Sequence, residues 1–172
     1  EVEVDETCIG GKETGEKEDG TNKTGRGSSE KTLVVVATEC LGKQIGRVRF
    51  KCIDSASGKN LIKFIEDNIE LGSTVITDGW KGYDSLVDKE GYTHVRKPIS
   101  GSGQEAHELL PHVHMVDSLL KRWINGTHQG RISHKHLEFY LDEYAFRFNR
   151  KLSTHRGKVF YRLVQQSVIT EP

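Results

Sequence analysis

Polar and apolar residues alternate through Val2-Glu3-Val4-Asp5-Glu6-Thr7-Cys8-Ile9, the period of a β-strand with two unlike faces. Thr32-Leu33-Val34-Val35-Val36-Ala37-Thr38 is an unbroken apolar run rich in β-branched residues, which predicts a strand covered on both sides. Leu41-Gly42-Lys43-Gln44 reads as a turn. Ile45 to Ile53, with Val48, Phe50 and Cys52 set between charged neighbours, reads as a third, half-exposed strand. No helical period separates the three, so an antiparallel meander is expected. Residues 10–31 are rich in Gly, Lys, Glu, Thr and Ser without any period, and are expected to form a long mobile loop that a partner would order.

The period then lengthens. Leu61, Ile62, Ile65 and Ile69 form an amphipathic helical stripe, with Ser57 as the candidate N-cap. After Gly72, Ser73-Thr74-Val75-Ile76-Thr77 is a short apolar strand ending at Asp78. Gly79-Trp80-Lys81-Gly82-Tyr83 turns the chain toward a short helix around 84–89, and Tyr92-Thr93-His94-Val95 predicts a fifth strand. Residues 98–107 read as a Gly/Ser-rich loop, after which Pro111 suits the first turn of a helix. Val113, Val116, Leu120, Trp123 and Ile124 are its apolar face. A turn at 125–130 leads to a last long helix with Leu137, Tyr140, Leu141, Tyr144 and Phe148 as its stripe and a Glu143–Arg147 pair at i,i+4. This order predicts an α/β class with a mixed sheet of about five strands, the first three antiparallel, flanked by helices.

Composition narrows the setting. A length of 172 residues is natural for one domain. With 34% hydrophobic and 29% charged residues and mean hydropathy −0.57, the chain is too polar for a membrane protein and too apolar for general disorder. It has no apolar run of spanning length and no export signal. Cys8, Cys40 and Cys52 are odd in number and far apart, which argues against a disulfide scaffold or a cysteine-built zinc site and fits a reducing, cytoplasmic location. The zero net charge hides an asymmetry: residues 1–30 hold nine acids and four bases, residues 121–162 ten bases and three acids. A basic C-terminal third over 111–165 can track nucleic-acid phosphate, or can simply be a solvated face.

Two aspartates occupy unusual places. Asp5 interrupts a strand, and Asp78 sits at the C-terminal end of another, where ligands gather in open α/β sheets. If these strands are neighbours, two like charges ~4 Å apart repel by about 4 kcal/mol at an effective dielectric near 20, and a hard divalent cation would relieve that repulsion. The plainer alternative leaves Asp5 in solvent and Asp78 capping a turn. His114, Asp117 and Lys121 share one face of the helix from Pro111, so this stripe either looks back at the strand ends or is merely its wet side.

These residues resemble a family. Val4-Asp5-Glu6-Thr7, Ile9-Gly10-Gly11-Lys12 and Thr77-Asp78-Gly79-Trp80-Lys81-Gly82-Tyr83 look like the catalytic domain of bacterial DDE-type insertion-sequence transposases. The nearest branch is the ISXO2-like one, whose full-length members carry an N-terminal zinc ribbon. The likeness continues in order through Leu110-Pro111-His112-Val113-His114, Leu120-Lys121-Arg122-Trp123, Gly126-Thr127-His128-Gln129-Gly130, Phe146-Arg147-Phe148-Asn149-Arg150 and Phe160-Tyr161-Arg162-Leu163.

The resemblance implies a ribonuclease-H-like fold. It also implies two magnesium ions, with manganese as substitute, and double-stranded DNA at element ends and target as the partner. A homo-oligomer working on DNA near the nucleoid, and a DNA-recognition domain upstream of Glu1, belong to the same expectation. Asp5 and Asp78 match the first two acidic positions. The third, seven residues before Lys121, is His114, a departure from the usual acid that relatives with Asn or His there also make; Asp117, one turn on, is the substitute oxygen ligand. Lys121, Arg122, Arg147 and Arg150 are the expected DNA contacts. The rival readings are a structure-selective nuclease on the same fold and a decayed, DNA-binding relic. A zinc module built on His112-x-His114 and His134-x-His136 is disfavoured, because histidines at i,i+2 on a helix point apart.

Overall fold

The computed structural model describes residues 1–10, 31–98, 103, 105–129, 132 and 134–169, so the loop expected over 10–31 lies almost wholly outside the described residues. Three long strands come first: β1 (Val2–Ile9), β2 (Thr32–Leu41) and β3 (Gln44–Ile53). Helix α1 (Gly58–Asn68), strand β4 (Thr74–Thr77), a 3-10 helix (Lys81–Leu86) and strand β5 (Thr93–Arg96) follow. The chain continues through α2 (Ala106–Leu109), α3 (Pro111–His128), α4 (Leu137–Phe148) and α5 (Arg156–Ile169). The sheet order is β3-β2-β1-β4-β5; β1 pairs antiparallel with β2 and parallel with β4, as β2 and β3 are antiparallel and β4 and β5 parallel. This is the mixed five-stranded, helix-flanked sheet of a ribonuclease-H-like fold.

Elements fall where the periods place them, with shifted ends. The helix expected around 84–89 is a six-residue 3-10 helix three residues earlier, at Lys81–Leu86, and the fifth strand runs one residue later than its apolar core suggests. Ser57 is the residue before α1 but makes no side-chain cap. The Gly/Ser-rich stretch ends in one turn of helix, α2, closed by a capping box between Glu105 and Glu108. Helix α4 stops at Phe148, and the separate helix α5 leaves Phe160, Tyr161 and Leu163 exposed.

The sheet is covered on both faces. Val4, Val35, Ala37 and Val75 pack under α1 with Tyr83 and Leu86, while Ile9, Val34, Val36, Val48 and Ile76 pack under α3 and α4. Because β1 is central, its polar face is not solvated: Glu3, Asp5 and Thr7 lie beneath α3. Glu3 is only 3% exposed. Its Oε2 accepts the backbone N–H groups of His112 and Val113, at 2.8 and 2.9 Å, and its Oε1 meets His112 Nδ1 at 2.9 Å. The carboxylate thereby caps the first turn of α3 from another element, satisfying two of the donors that a helix start leaves open.

Asn149, just past α4, makes a second long-range clamp. Its side-chain amide accepts from Val48 N–H at 2.7 Å and donates to Val48 C=O at 3.0 Å, mimicking a strand partner for the edge strand β3.

Glu3→Ala is expected to lower stability by about 3–5 kcal/mol, because it strands a histidine and two N–H groups beneath the sheet. The corresponding fall in melting temperature is on the order of 10 °C. Combining it with His112→Ala should cost clearly less than the sum of the two single changes in chemical denaturation.

Candidate active site

The parallel pairing of β1 with β4 matches Val2 to Val75 and Glu3 to Ile76. Continued by two residues, that register sets Asp5 beside Asp78. The β4 strand ends there because Gly79 takes φ +86°, and a Cβ at Gly79 would sit 3.1 Å from Pro98. Asp78 Oδ1 accepts the Trp80 N–H at 2.9 Å, which fixes the carboxylate at the strand end, and the Trp80 indole is tied to Ala56 C=O at 3.0 Å.

Helix α3 crosses above. With its first turn held by Glu3, successive turns carry His114 and Asp117 over Asp5. His114 Nε2 lies 3.6 Å from Asp5 Oδ2, beyond hydrogen-bond reach. Asp117 Oδ2 accepts from Lys121 Nζ at 2.9 Å, while its Oδ1 is buried with no hydrogen-bond partner among the described residues. Asp5, Glu6, Asp78, His114 and Asp117 line one pocket of about 230 Å³. That is room for on the order of seven waters, a scale suited to hydrated ions and a phosphate rather than to a large organic ligand.

The electrostatics are those of an acid cluster short of cations. Burial raises the Asp5 carboxyl from 3.8 to about 7; a backbone hydrogen bond at Glu6 opposes the shift, and the charges of Glu6, Asp78 and Asp117 add to it. Burial lowers His114, against the pull of Asp117 and Glu3, so the ring stays neutral and keeps a lone pair at the pocket. Carboxylate oxygens from three elements, one of them unpartnered among the described residues, are hard donors of the kind that a divalent cation such as magnesium takes. Imidazole is the weaker partner for that ion.

The expected residues are thus partly gathered. Asp5, Asp78, His114 and Asp117 share the pocket, and Lys121 reaches it through Asp117. Arg122 is exposed on α3, next to Lys121. Arg147 and Arg150 are not brought to the pocket. Arg147 is in the last turn of α4 and Arg150 just past it, where the helix packs on β3, two strands from β1. Arg147 pairs with Glu143 at 3.2 Å, and the Arg150 guanidinium stacks 3.8 Å from the centre of the Phe146 ring. Sequence reasoning missed Glu3, His112 and Asn149. Glu3 carried the same signal as Asp5, an acid on a strand, two residues earlier and on the same face. His112 and His114 do point apart, one to Glu3 and the other toward Asp5.

A carboxyl raised by folding keeps its proton between about pH 4 and 7, where the unfolded chain has lost it. Stability therefore falls as pH rises through that window. Asp5→Asn should remove the penalty, raising stability at pH 8 by on the order of 2–4 kcal/mol with the gain gone near pH 4. Urea denaturation at both pH values checks this, and an equal gain at both would contradict it.

Among curated proteins none matches the sequence. The ISXO2-like transposase domain family matches residues 1–149, most of the chain and every element from β1 through α4. With that match over the sheet, the acidic pocket and the helix above it, the chain belongs to the ISXO2-like transposase domain family.

Proposed function

We propose that this domain cuts double-stranded DNA at the ends of an insertion sequence and joins the freed 3′-hydroxyl to a target strand, by metal-assisted phosphoryl transfer. Membership of the transposase family supports the reaction class. The observation that carries the assignment to these residues is the meeting of Asp5, Asp78 and Asp117 in one small pocket, with Asp5 destabilised in its charged form until a cation arrives. Two magnesium ions, or manganese in their place, would be held by these three carboxylates, with His114 beside them. When bound, such ions polarise the phosphodiester, acidify the attacking water or hydroxyl and neutralise the leaving oxygen.

The chain's own groups do the rest. Asp78, fixed by Trp80 N–H, and Asp5, fixed by the β1 register, orient the oxygens that grip the cation. Asp117 contributes its unpartnered Oδ1. Lys121 neutralises Asp117 in the free protein, and with a cation held by that carboxylate its ammonium would be available to a DNA phosphate. Arg122 continues that track on α3. Arg147 and Arg150, near the β3 edge, would hold a more distant stretch of the duplex. The neutral His114 ring adds a lone pair without adding charge to an already acidic pocket. The protein would act as a multimer on paired DNA ends, in the bacterial cytoplasm at the nucleoid.

Magnesium-dependent nicking and strand transfer on DNA carrying the element's terminal repeat tests this. Asp78→Ala should reduce both by more than ~100-fold, since removal of even an outer-sphere partner of a metal ligand costs 10- to 100-fold. Asp117→Asn should fall as far as Asp78→Ala, and His114→Ala less. Nicking without joining would assign the domain to the nucleases instead, and the absence of both would mark it as a DNA-binding relic.

A further inference from the structure

A second group of donors lies outside the acidic pocket, at the opposite end of the same strand face. Glu3 on β1, Cys40 near the end of β2 and His112 in the first turn of α3 place a carboxylate oxygen, a sulfur and a ring nitrogen all within 4.8 Å of one another. The register of β2 against β3 shifts between Thr38 and Cys40, at the end of β2 that lies beside Glu3. All three cysteines are free, and the Cys40 thiol makes a 3.5 Å contact to Thr38 C=O and lies against the backbone of Glu3.

The surroundings of His112 are those of a ligating ring. Its Nε2 meets the carbonyl of Gly42 at 2.9 Å, and its Nδ1 meets Glu3 Oε1 at 2.9 Å. Both partners are acceptors. A neutral ring that donates Nε2–H to Gly42 points a lone pair at a carboxylate, which requires a cation between them: a second ring proton or a metal. A backbone carbonyl fixing one ring nitrogen while the other binds metal is the usual outer support of a histidine ligand. A metal in that place would also engage the Cys40 sulfur, which stands within 4.8 Å of both other donors.

We propose that Glu3 Oε1, Cys40 Sγ and His112 Nδ1 bind one zinc-class ion, with water as the fourth ligand. A carboxylate and a thiolate balance the ion's two charges, so the loaded site is neutral. Loading displaces the Cys40 thiol proton and any proton on Nδ1. Bond lengths near 2.0–2.3 Å put donors of a tetrahedral zinc site about 3.5 Å apart, so the Glu3–His112 pair, now at 2.9 Å, opens to admit the ion while a Cys40 side-chain rotation brings the sulfur in. Glu3 Oε2 keeps its two N–H bonds meanwhile. Thiolate and imidazole select zinc over magnesium, so this site and the acidic pocket would take different metals. The ion would rivet β1, β2 and the start of α3 together, a role independent of any reaction on DNA.

Cobalt(II) is the probe. Added at one equivalent to chelator-treated, reduced protein, it should give thiolate-to-cobalt charge-transfer absorption in the near ultraviolet together with tetrahedral visible bands. Zinc should bleach both, and excess magnesium should leave them. Cys40→Ser should abolish the charge-transfer band, while Cys8→Ser and Cys52→Ser retain it. Zinc should also raise the melting temperature of the unaltered protein and not of Cys40→Ser, whose metal-free melting should match the parent because its thiol packs against little. If Cys40→Ser melts lower, alkylating Cys40 in the Cys8→Ser, Cys52→Ser background serves instead, with the same loss of absorption expected. No absorption change at stoichiometric cobalt, or a band that survives loss of the Cys40 thiol, overturns the proposal.

Discussion

A charged carboxylate held beneath a helix organises this molecule. Glu3 is almost fully buried, and a lone charge there would be prohibitive. It is tolerable because two backbone N–H groups at the start of α3 and the His112 ring surround it, and because the helix N-terminus is itself the positive end of a dipole. The reverse dependence matters more. Helix α3 is 18 residues long with an apolar stripe that specifies which side faces the sheet, but a stripe alone allows sliding along its axis. The Glu3 bonds fix that axial position. Everything carried further along, His114 on the first turn and Asp117 on the second, is then set over Asp5.

The acidic pocket is built against stability. Asp5, Asp78 and Asp117 line one pocket, and among the described residues one ammonium, Lys121, is bonded to them, at Asp117. The protein meets the repulsion by letting burial disfavour the charged form of Asp5.

The basic residues of the C-terminal third divide differently from their order in the sequence. Lys121 and Arg122 follow α3 toward the pocket, whereas Arg147 and Arg150 belong with the Asn149 clamp on the sheet edge. A run of positive charge in the sequence is therefore two surfaces. Stacking of Arg150 on Phe146 and pairing of Arg147 with Glu143 hold the second in place locally.

Local periodicity determined most of the elements. Alternation in Val2–Ile9, the apolar run from Thr32 and the stripes on α1, α3 and α4 each depend on neighbours within a few residues, and each appears in place. Asp5 and Asp78 stood out for the same reason, as acids where strand residues are ordinarily apolar. Short 3-10 and capped turns were less legible, because a few backbone bonds decide their ends. What only the tertiary structure decided is the insertion of β4 beside β1, which makes β1 central and turns its polar face inward. From that one placement follow the burial of Glu3, its union with His112 across 109 residues, and the approach of Cys40 to both. No period in a sequence encodes such meetings: they join side chains through space, and their partners are chosen by strand order, not by spacing along the chain.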